Sequence, residues 1–553
     1  MLLRGSLRRV AVGALCLVAA TVPLGVSGAT AAPPVSNNTK TLQVSLPGPF
    51  NGCTYLDAAA NATGNAVLDL VRPSAFLTNP NGNLVGEGGP IASAELVSLS
   101  PEVVHYTIAP HQKWSDGTSF SGADLVAWWL KARNLASLQS DGYRAIQSLV
   151  ESKDGLMVTA TFATPYAEWN LLFRDVEAMD ASAGCSLATF VRRPSLGPYL
   201  VQSATRSRIV LVIDHRWPVA ANRFGRVVIT DDAVIPASTS AQFVGYSLDV
   251  NRSQILALSS HSAVLSRVGT SSDIEEIAFA PSRPFSSRLA VREALSWALN
   301  RQSIIDQLFG AVTFSTSIAA SALYSQGQNS YPGPNGTGPT SPTSTSTVQS
   351  TPVTSRLADC PACAVAVLAK NGLHRTATGW ATAGGIALAI RVAVGPSALD
   401  HATADRVSLQ WRHFGVAVTQ VRSASDMAAA VASATGRVDA AIFARPTITT
   451  ASYTARSWSG PGYADTYPSG WRSSAINALF RQAISNFNPV AASSTWLAID
   501  RAVLNAFWVR PLFTSPSLLE WSNKMTGVSG SYSLPGLLDQ LPLWATTPPV
   551  TGS

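Results

Sequence analysis

Hydrophobic and polar positions alternate in short runs along much of this chain. Val104, Tyr106 and Ile108 recur at every second position, the pattern of a strand with one buried face. The run ends in the polar turn Ser115-Asp116-Gly117. Ser121 then opens an apolar segment with Asp124 in capping-box position, so a helix is predicted over 123–135. Residues 41–46 read as an opening strand, closed by Pro47-Gly48-Pro49-Phe50-Asn51-Gly52, and residues 58–70 as a helix. Residues 156–162 alternate as a strand, and Pro165 is placed to start another helix.

Further strands are predicted at 197–201, 208–213 and 227–229. Val291, Ala294, Leu295, Ala298 and Leu299 make one helical stripe within 291–305, which leaves Arg292 and Arg301 for the solvated face or the helix end. Residues 363–443 alternate helix, strand, helix, strand, helix and strand, the mark of an α/β domain. Helices at 474–485 and 491–506 and a strand at 508–513 follow. Residues 326–355 are rich in Ser, Thr, Pro and Gly without apolar period. Such a tract cannot bury enough surface to offset its ordering entropy, and a disordered surface insertion is expected.

Composition changes the picture first at the N-terminus. Arg4, Arg8 and Arg9 precede an apolar core, and Ala29-Thr30-Ala31 is a small-x-small cleavage site. Residues 1–31 are therefore expected to be a signal peptide. At about 150 residues per domain, the rest allows about three domains. No other run is apolar enough to suggest a membrane span. Without the three signal arginines the net charge falls from +7 to +4. The remaining charges are scattered, which argues against nucleic acid as a partner. Arginine far outnumbers lysine, a bias that suits a high-GC genome such as an actinobacterium's.

Four cysteines remain beyond the signal. The close pair Cys360 and Cys363 can bridge locally, which leaves Cys53 and Cys185 for each other. A redox role for Cys360-Pro361-Ala362-Cys363 is the other reading, since a pair at a helix start can have a lowered thiol pKa. No second CxxC or paired histidine accompanies it, so no metal is expected.

Two segments resemble a known family. Trp114-Ser115-Asp116-Gly117, followed by Ala123-Asp124-Leu125 at a helix start, is similar to the signature of the extracytoplasmic solute-binding proteins of family 5, the peptide and nickel-type binding proteins of ABC importers. Leu125 stands where the family has Val. Val291-Arg292-Glu293-Ala294-Leu295 through Asn300-Arg301 resembles a second family helix, with Asn300 in place of Asp. The resemblance implies an α/β, two-lobed periplasmic-binding-protein fold with an additional inserted domain. Lobe I would comprise 32–72, 196–283 and 510–553, domain II 73–195, and lobe III 284–509. Ligand would lie in the cleft between lobes that close about two crossing strands.

The resemblance also implies function. The protein would be exported to the periplasm or envelope exterior and capture an oligopeptide or other small solute. It would hand this to the permease and ATPase subunits of an ABC importer, as a monomer without cofactor. Many relatives carry a lipidated cysteine, but Gly13-Ala14-Leu15 before Cys16 lacks that pattern. Peptide-binding relatives hold ligand as an added strand, which would place it against Phe50, Asn51 and the residues after Phe443. Those relatives also have an acidic partner for the peptide ammonium, where this chain has Ala444-Arg445-Pro446-Thr447. A buried ammonium without a partner is costly. Arg445, Thr447, Tyr453, Arg456 and Trp458 are therefore taken as ligand-facing, suited to a carboxylate, a phosphate or a sugar face. Arg445 at a solvated rim, and the aromatics as packing between lobes, are the plainer readings. Trp114 and Asp116 are assigned to turn support.

No Gly-x-Ser-x-Gly elbow, His-Glu-x-x-His or Ser-x-x-Lys set is present, and the histidines lack ligand spacing. No enzyme is expected. The alternative function is a transport-inactive envelope scaffold or sensor with the same fold.

Overall fold

The strand, turn and helix around Trp114 form one hydrogen-bonded unit. A computed structural model describes residues 40–52, 62–79, 84–86, 88–135, 140–178, 186–217, 224–231, 242–250, 263–310, 316–326, 331, 358–446, 450–459, 468–530 and 534–546. The Ser121 hydroxyl accepts from Ala123 N at 3.1 Å and starts the helix Gly122–Ala132. The Asp124 carboxylate accepts from Ser121 N at 3.0 Å and from the buried Trp114 indole N–H at 3.1 Å. Asp116 accepts from Thr118 N at 2.9 Å and so closes the turn.

Among the described residues, ten strands form one mixed sheet. Its order is Ala417–Arg422, Ala389–Val394, Ala440–Pro446, Val264–Phe279, Val509–Ser522, Gln242–Ser247, Thr41–Ser45, Arg226–Thr230, Arg208–Ile213 and Tyr199–Ala204. The two central strands are the long ones, at 16 and 14 residues. They run antiparallel and link the two halves of the sheet. Their register breaks between Thr270 and Ile274 and again between Glu275 and Glu276, opposite Pro516 and Pro511. Proline cannot donate to the ladder, and bulges are where a sheet tolerates it.

A separate antiparallel sheet contains Ile91–Leu99, Glu102–Ile108, Met157–Phe162 and Ile146–Glu151, in that order. It buries Val104, Tyr106, Ile108 and Trp128 in a core of its own. A second core forms around Leu42, Val44 and Val227, and a third around Ile277, Val291 and Trp411. Helices Ser474–Ile484 and Pro489–Asn505 pack over Trp458. Residues from Asn38 onward form one compact unit. No helix among the described residues is long and apolar enough to cross a membrane.

Three sequence expectations are corrected. Pro165 does not open an α-helix. The segment makes only the 3-10 turn Trp169–Leu171, because Leu172 is extended and the following Phe173 and Asp175 adopt positive φ of 56° and 50°. The 291–305 helix is broken in two, Leu289–Trp297 and Arg301–Phe309, because the Asn300 side chain accepts from Ser303 N at 2.9 Å and caps a new start. Finally, Arg292 and Arg301 are buried rather than solvated, each 4% exposed. Arg292 lies 3.4 Å from the Trp508 ring centre and donates to Ala506 and Ser286 carbonyls. Arg301 pairs with Asp359 at 3.0 Å and donates to the Pro511 carbonyl at 3.0 Å. Both guanidiniums bind the end of the Pro489–Asn505 helix or the long strand after it, a tertiary role that helical periodicity does not register.

Cys360 and Cys363 are disulfide-bonded at the head of the helix Pro361–Lys370. The signal peptide, Cys53, Cys185, Thr447 and nearly all of 326–355 lie outside the described residues.

Candidate ligand-binding pocket

A cavity of about 420 Å³ opens between two stretches that are far apart in sequence. One wall comes from residues 141–174, next to the four-stranded sheet, with Asn65 beside it, and the other from residues 450–456 and 477–484. On the first wall, the short helix Ser140–Ala145 presents Asp141 and Arg144 three residues apart, which places them on one helical face. Their side chains pair at 2.6 Å. On the second wall, Asn477, Phe480, Arg481 and Ile484 line the cavity from the helix Ser474–Ile484. Their spacing of three, four and seven puts them on one face. Tyr453 and Arg456 join them from the end of the helix Ala451–Ala455.

Among the described residues, the walls meet through Ile484, which packs against the core of the four-stranded sheet, and through polar contacts. Arg456 forms an ion pair with Asp141. The Ser452 hydroxyl donates to Glu168 at 2.5 Å. Ala167 N donates to the Ile484 carbonyl at 2.7 Å. Glu168 is partly buried at this junction, and desolvation raises its pKa to about 7 despite the Ser452 hydroxyl. Burial also raises the Tyr166 phenol well above its usual range. Deeper in, Arg174 binds Asp69 through two parallel contacts of 3.1 and 2.5 Å. Burial opposes its charge, but Asp69 and Asp175 more than offset this and the net shift is upward. Asp175 is pushed well up, first by burial and then by Asp69. Phe480 carries the Arg456 guanidinium 4.8 Å from its ring centre.

Of the sequence-predicted residues, Tyr453 and Arg456 line this cavity. Arg445 and Trp458 do not. Arg445 is 1% exposed and is held by Glu276 through contacts of 2.8 and 2.5 Å. Its guanidinium lies 5.4 Å from the centre of the fully buried Trp458 ring. The strand Ala440–Pro446 pairs Arg445 with Ile274 and leaves its side chain beside Glu276, whose partner role no local pattern could reveal. Phe50 is buried edge-on against Phe190, 4.6 Å away, and Asn51 is partly exposed; neither lines the cavity. Sequence reasoning missed Asp141, Arg144, Glu168, Arg174, Phe480 and Arg481. The only local signal was the mixed polar and aromatic face of the 474–484 helix.

Comparison with known proteins decides the class. Residues 91–467 match the family described as bacterial extracellular solute-binding proteins, family 5. The chain belongs to this family. The oligopeptide-binding protein OppA of Mycobacterium tuberculosis is 32% identical to this family 5 protein over 195 residues, 32% of this chain and 33% of OppA. A probable monoacyl phosphatidylinositol tetramannoside-binding protein, LpqW of Mycobacterium tuberculosis, is 28% identical over 30% of this chain and 29% of its own length. The alignments therefore span only about a third of these curated relatives. The fold is shared far more widely. A periplasmic EDTA-binding protein, EppA, superposes with a TM-score of 0.79 at 16% identity, over 94% of this chain and all of its own. The oligopeptide-binding protein AppA of Bacillus subtilis, in complex with a nonapeptide, superposes with a TM-score of 0.71 at 12% identity, over 92% and 99%. The two-lobed α/β binding-protein architecture is thus that of this chain as well.

Proposed function

We propose that this family 5 protein captures a small solute in the cavity between residues 141–174 and 450–484, by closure of two lobes, and presents it to an ABC importer outside the cytoplasm. In this reading the lobes are 32–72 with 196–283 and 510–553, and 284–509, with 73–195 inserted as a third domain. The strands Val264–Phe279 and Val509–Ser522 are the natural hinge, being the route by which the sheet passes from one half to the other. Their bulges lie where bending costs least ladder pairing.

One observation carries the proposal. The cavity lies where walls from distant parts of the chain meet, and its size falls within the roughly 300–1,000 Å³ usual for small-molecule sites. Among the described residues, Ile484 packs against the core of the four-stranded sheet, while Arg456 to Asp141 and Ser452 to Glu168 join the walls by polar contacts. Such contacts break and re-form more readily than a packed apolar interface. Oligopeptide binding by OppA supports a peptide or peptide-sized solute, and the cavity volume favours a short one.

Small-angle scattering tests this directly. Solute drawn from the native host's growth medium is expected to shift the protein from a wider to a more compact form, with a saturable dose response. An unchanged radius of gyration alongside demonstrated solute binding would rule out closure.

A further inference from the structure

We infer that the Cys360–Cys363 bond is a site of thiol–disulfide exchange, at which a small-molecule thiol attacks Cys363 and Cys360 departs as a thiolate. Neither cysteine lines the solute cavity, so the inference does not rest on that assignment.

Two observations set the direction of attack. Pro361, Ala362 and Cys363 are all exposed, whereas Cys360 is half-buried. The sulfur open to an incoming thiolate is therefore that of Cys363. Cys360 is the N-cap of the helix Pro361–Lys370, and its Sγ accepts from Cys363 N at 3.2 Å. Negative charge that forms on this sulfur is met by a backbone N–H and by the positive end of a ten-residue helix. Such surroundings lower a thiol's pKa, and a leaving thiol of lower pKa departs faster. Exposure favours attack at one sulfur, and the helix favours departure of the other.

Opening the bond disturbs little else. Cys360 N donates to the Trp297 carbonyl at 2.9 Å, and Ala364 and Leu368 anchor the helix in the core around Ile277 and Trp411. At the far end, Arg288 donates to the Asn371 carbonyl at 2.6 Å. Just before the bond, Asp359 accepts from Arg301 and Arg510 at 3.0 and 2.6 Å, so two guanidiniums answer the charge next to the Cys360 sulfur. A bridge over so few residues also removes little chain entropy from the unfolded state. The bond is thus within reach of solvent, and the local fold does not depend on it. The exchange balances as follows. A thiolate forms a new S–S bond to Cys363 Sγ as the Cys363–Cys360 bond breaks, and the electron pair stays on Cys360 Sγ. A second thiolate then attacks the sulfur of the adduct and releases Cys363 as a thiolate. Two thiols are oxidised to one disulfide, and the cysteine pair is reduced.

The test incubates the full, oxidised protein with reduced glutathione. The reaction is quenched in acid, freed of excess thiol and alkylated with N-ethylmaleimide, and the peptide carrying both cysteines is mapped by fragmentation. Glutathione is expected on Cys363 and maleimide on Cys360, about tenfold in excess of the reverse arrangement. Circular dichroism should not change as the bond opens. The leaving sulfur is checked in Cys363→Ser, with the double variant Cys360→Ser/Cys363→Ser as blank. Its ultraviolet thiolate absorbance should titrate about one pH unit lower in the folded protein than in urea. A bond that resists glutathione until the protein is unfolded would overturn the exchange site. Loss of helical signal on reduction would show that the bond holds the fold, and would overturn it equally. Equal adducts on the two cysteines, or a Cys360 thiol that titrates alike in the folded and unfolded chain, would overturn the assignment of Cys360 as the leaving group.

Discussion

Arg445 and Glu276 show how a buried charge is tied down by its partner. Neither side chain is more than 1% exposed, and they meet at 2.5 Å. Burial raises the Glu276 pKa, while Arg445 draws it back down. Removing one member leaves the other charge buried alone, at a cost of about 3–5 kcal/mol. Arg445→Met is therefore expected to lower unfolding stability by roughly that amount, measured by chemical denaturation. Solute affinity of the folded variant should stay within about twofold of wild type, a change of under about 0.5 kcal/mol. Loss of affinity without loss of stability would restore Arg445 as a ligand contact. The same logic applies to Glu168, at the junction of the two walls. Glu168→Ala removes the acceptor of the Ser452 hydroxyl, and about 1.4 kcal/mol of closure energy should go with it, seen as a tenfold weaker solute affinity. Glu168→Gln, which keeps an acceptor, should lose less. The sequence marked Tyr453 and Arg456 as facing a ligand because they stand in a cationic, aromatic loop. It marked Arg445 because that residue stands where peptide-binding relatives have an acidic one, and the structure pairs it with the buried Glu276.

At the level of elements, the long strand Val264–Phe279 carries a second buried carboxylate of a different kind. Glu275 is fully buried, and its pKa is pushed well up by burial first, then by Asp400 and Asp426. Asp400 starts the helix Ala398–Phe414 in a capping box, and Asp426 opens the helix Asp426–Ala434. Burial and Asp400 raise Asp426 to about 8 from an ordinary 3.8. Acids with raised folded-state pKa values hold protons that the unfolded chain releases. Their contribution to stability is complete below the unfolded value and is lost as pH rises through the folded one. Melting temperature is thus expected to fall between about pH 4 and pH 8 on account of this cluster. Glu275→Gln should flatten that slope and raise the melting temperature at its alkaline end. A wild-type profile that rises steadily over this window would refute the account. The Cys360–Cys363 disulfide is a smaller contributor. Cys360 and Cys363 are three residues apart, and so short a loop saves only about 2 kcal/mol of chain entropy. A Cys360→Ser variant should remain folded, with a denaturation midpoint shifted by no more than that. The helix capped by Ser121 was legible in the sequence, whereas the Ser397 and Ser425 caps were not singled out. The break at Asn300 was not, because an apolar stripe continues through it and only the side-chain bond to Ser303 N reveals the new start.

For the whole molecule, the proposal is a pair of jaws on two shared strands. Fluorescent labels at Lys153, beside the four-stranded sheet, and Gln482, on the facing helix, would report the gap between walls, since both positions are exposed. Energy transfer is expected to rise on solute addition and to stay constant in solute-free buffer. Transfer already at its maximum without solute would mean that the closed form is the resting state, and that solute enters by transient opening. The family and its architecture could be anticipated from two segments, around Trp114 and around Arg292, because both are local units. In each, a capped or striped helix follows its own sequence rules. The cavity could not be anticipated in the same way, since its walls lie about 300 residues apart along the chain.

The sequence by itself determined the alternation of strands and helices, the cap at Ser121 and the closeness of Cys360 to Cys363 that permits a local bridge. These depend on side chains a few positions apart, and short-range chemistry settles them. Tertiary structure alone decided which charges are spent on the fold and which face the cavity. In sequence Arg292 and Arg301 read as solvated and Arg445 and Arg456 as ligand-facing, yet the structure buries the first three and leaves Arg456 at the cavity. Whether a guanidinium is buried against a carbonyl or carboxylate, or left at a wall, depends on what distant segment the chain brings beside it.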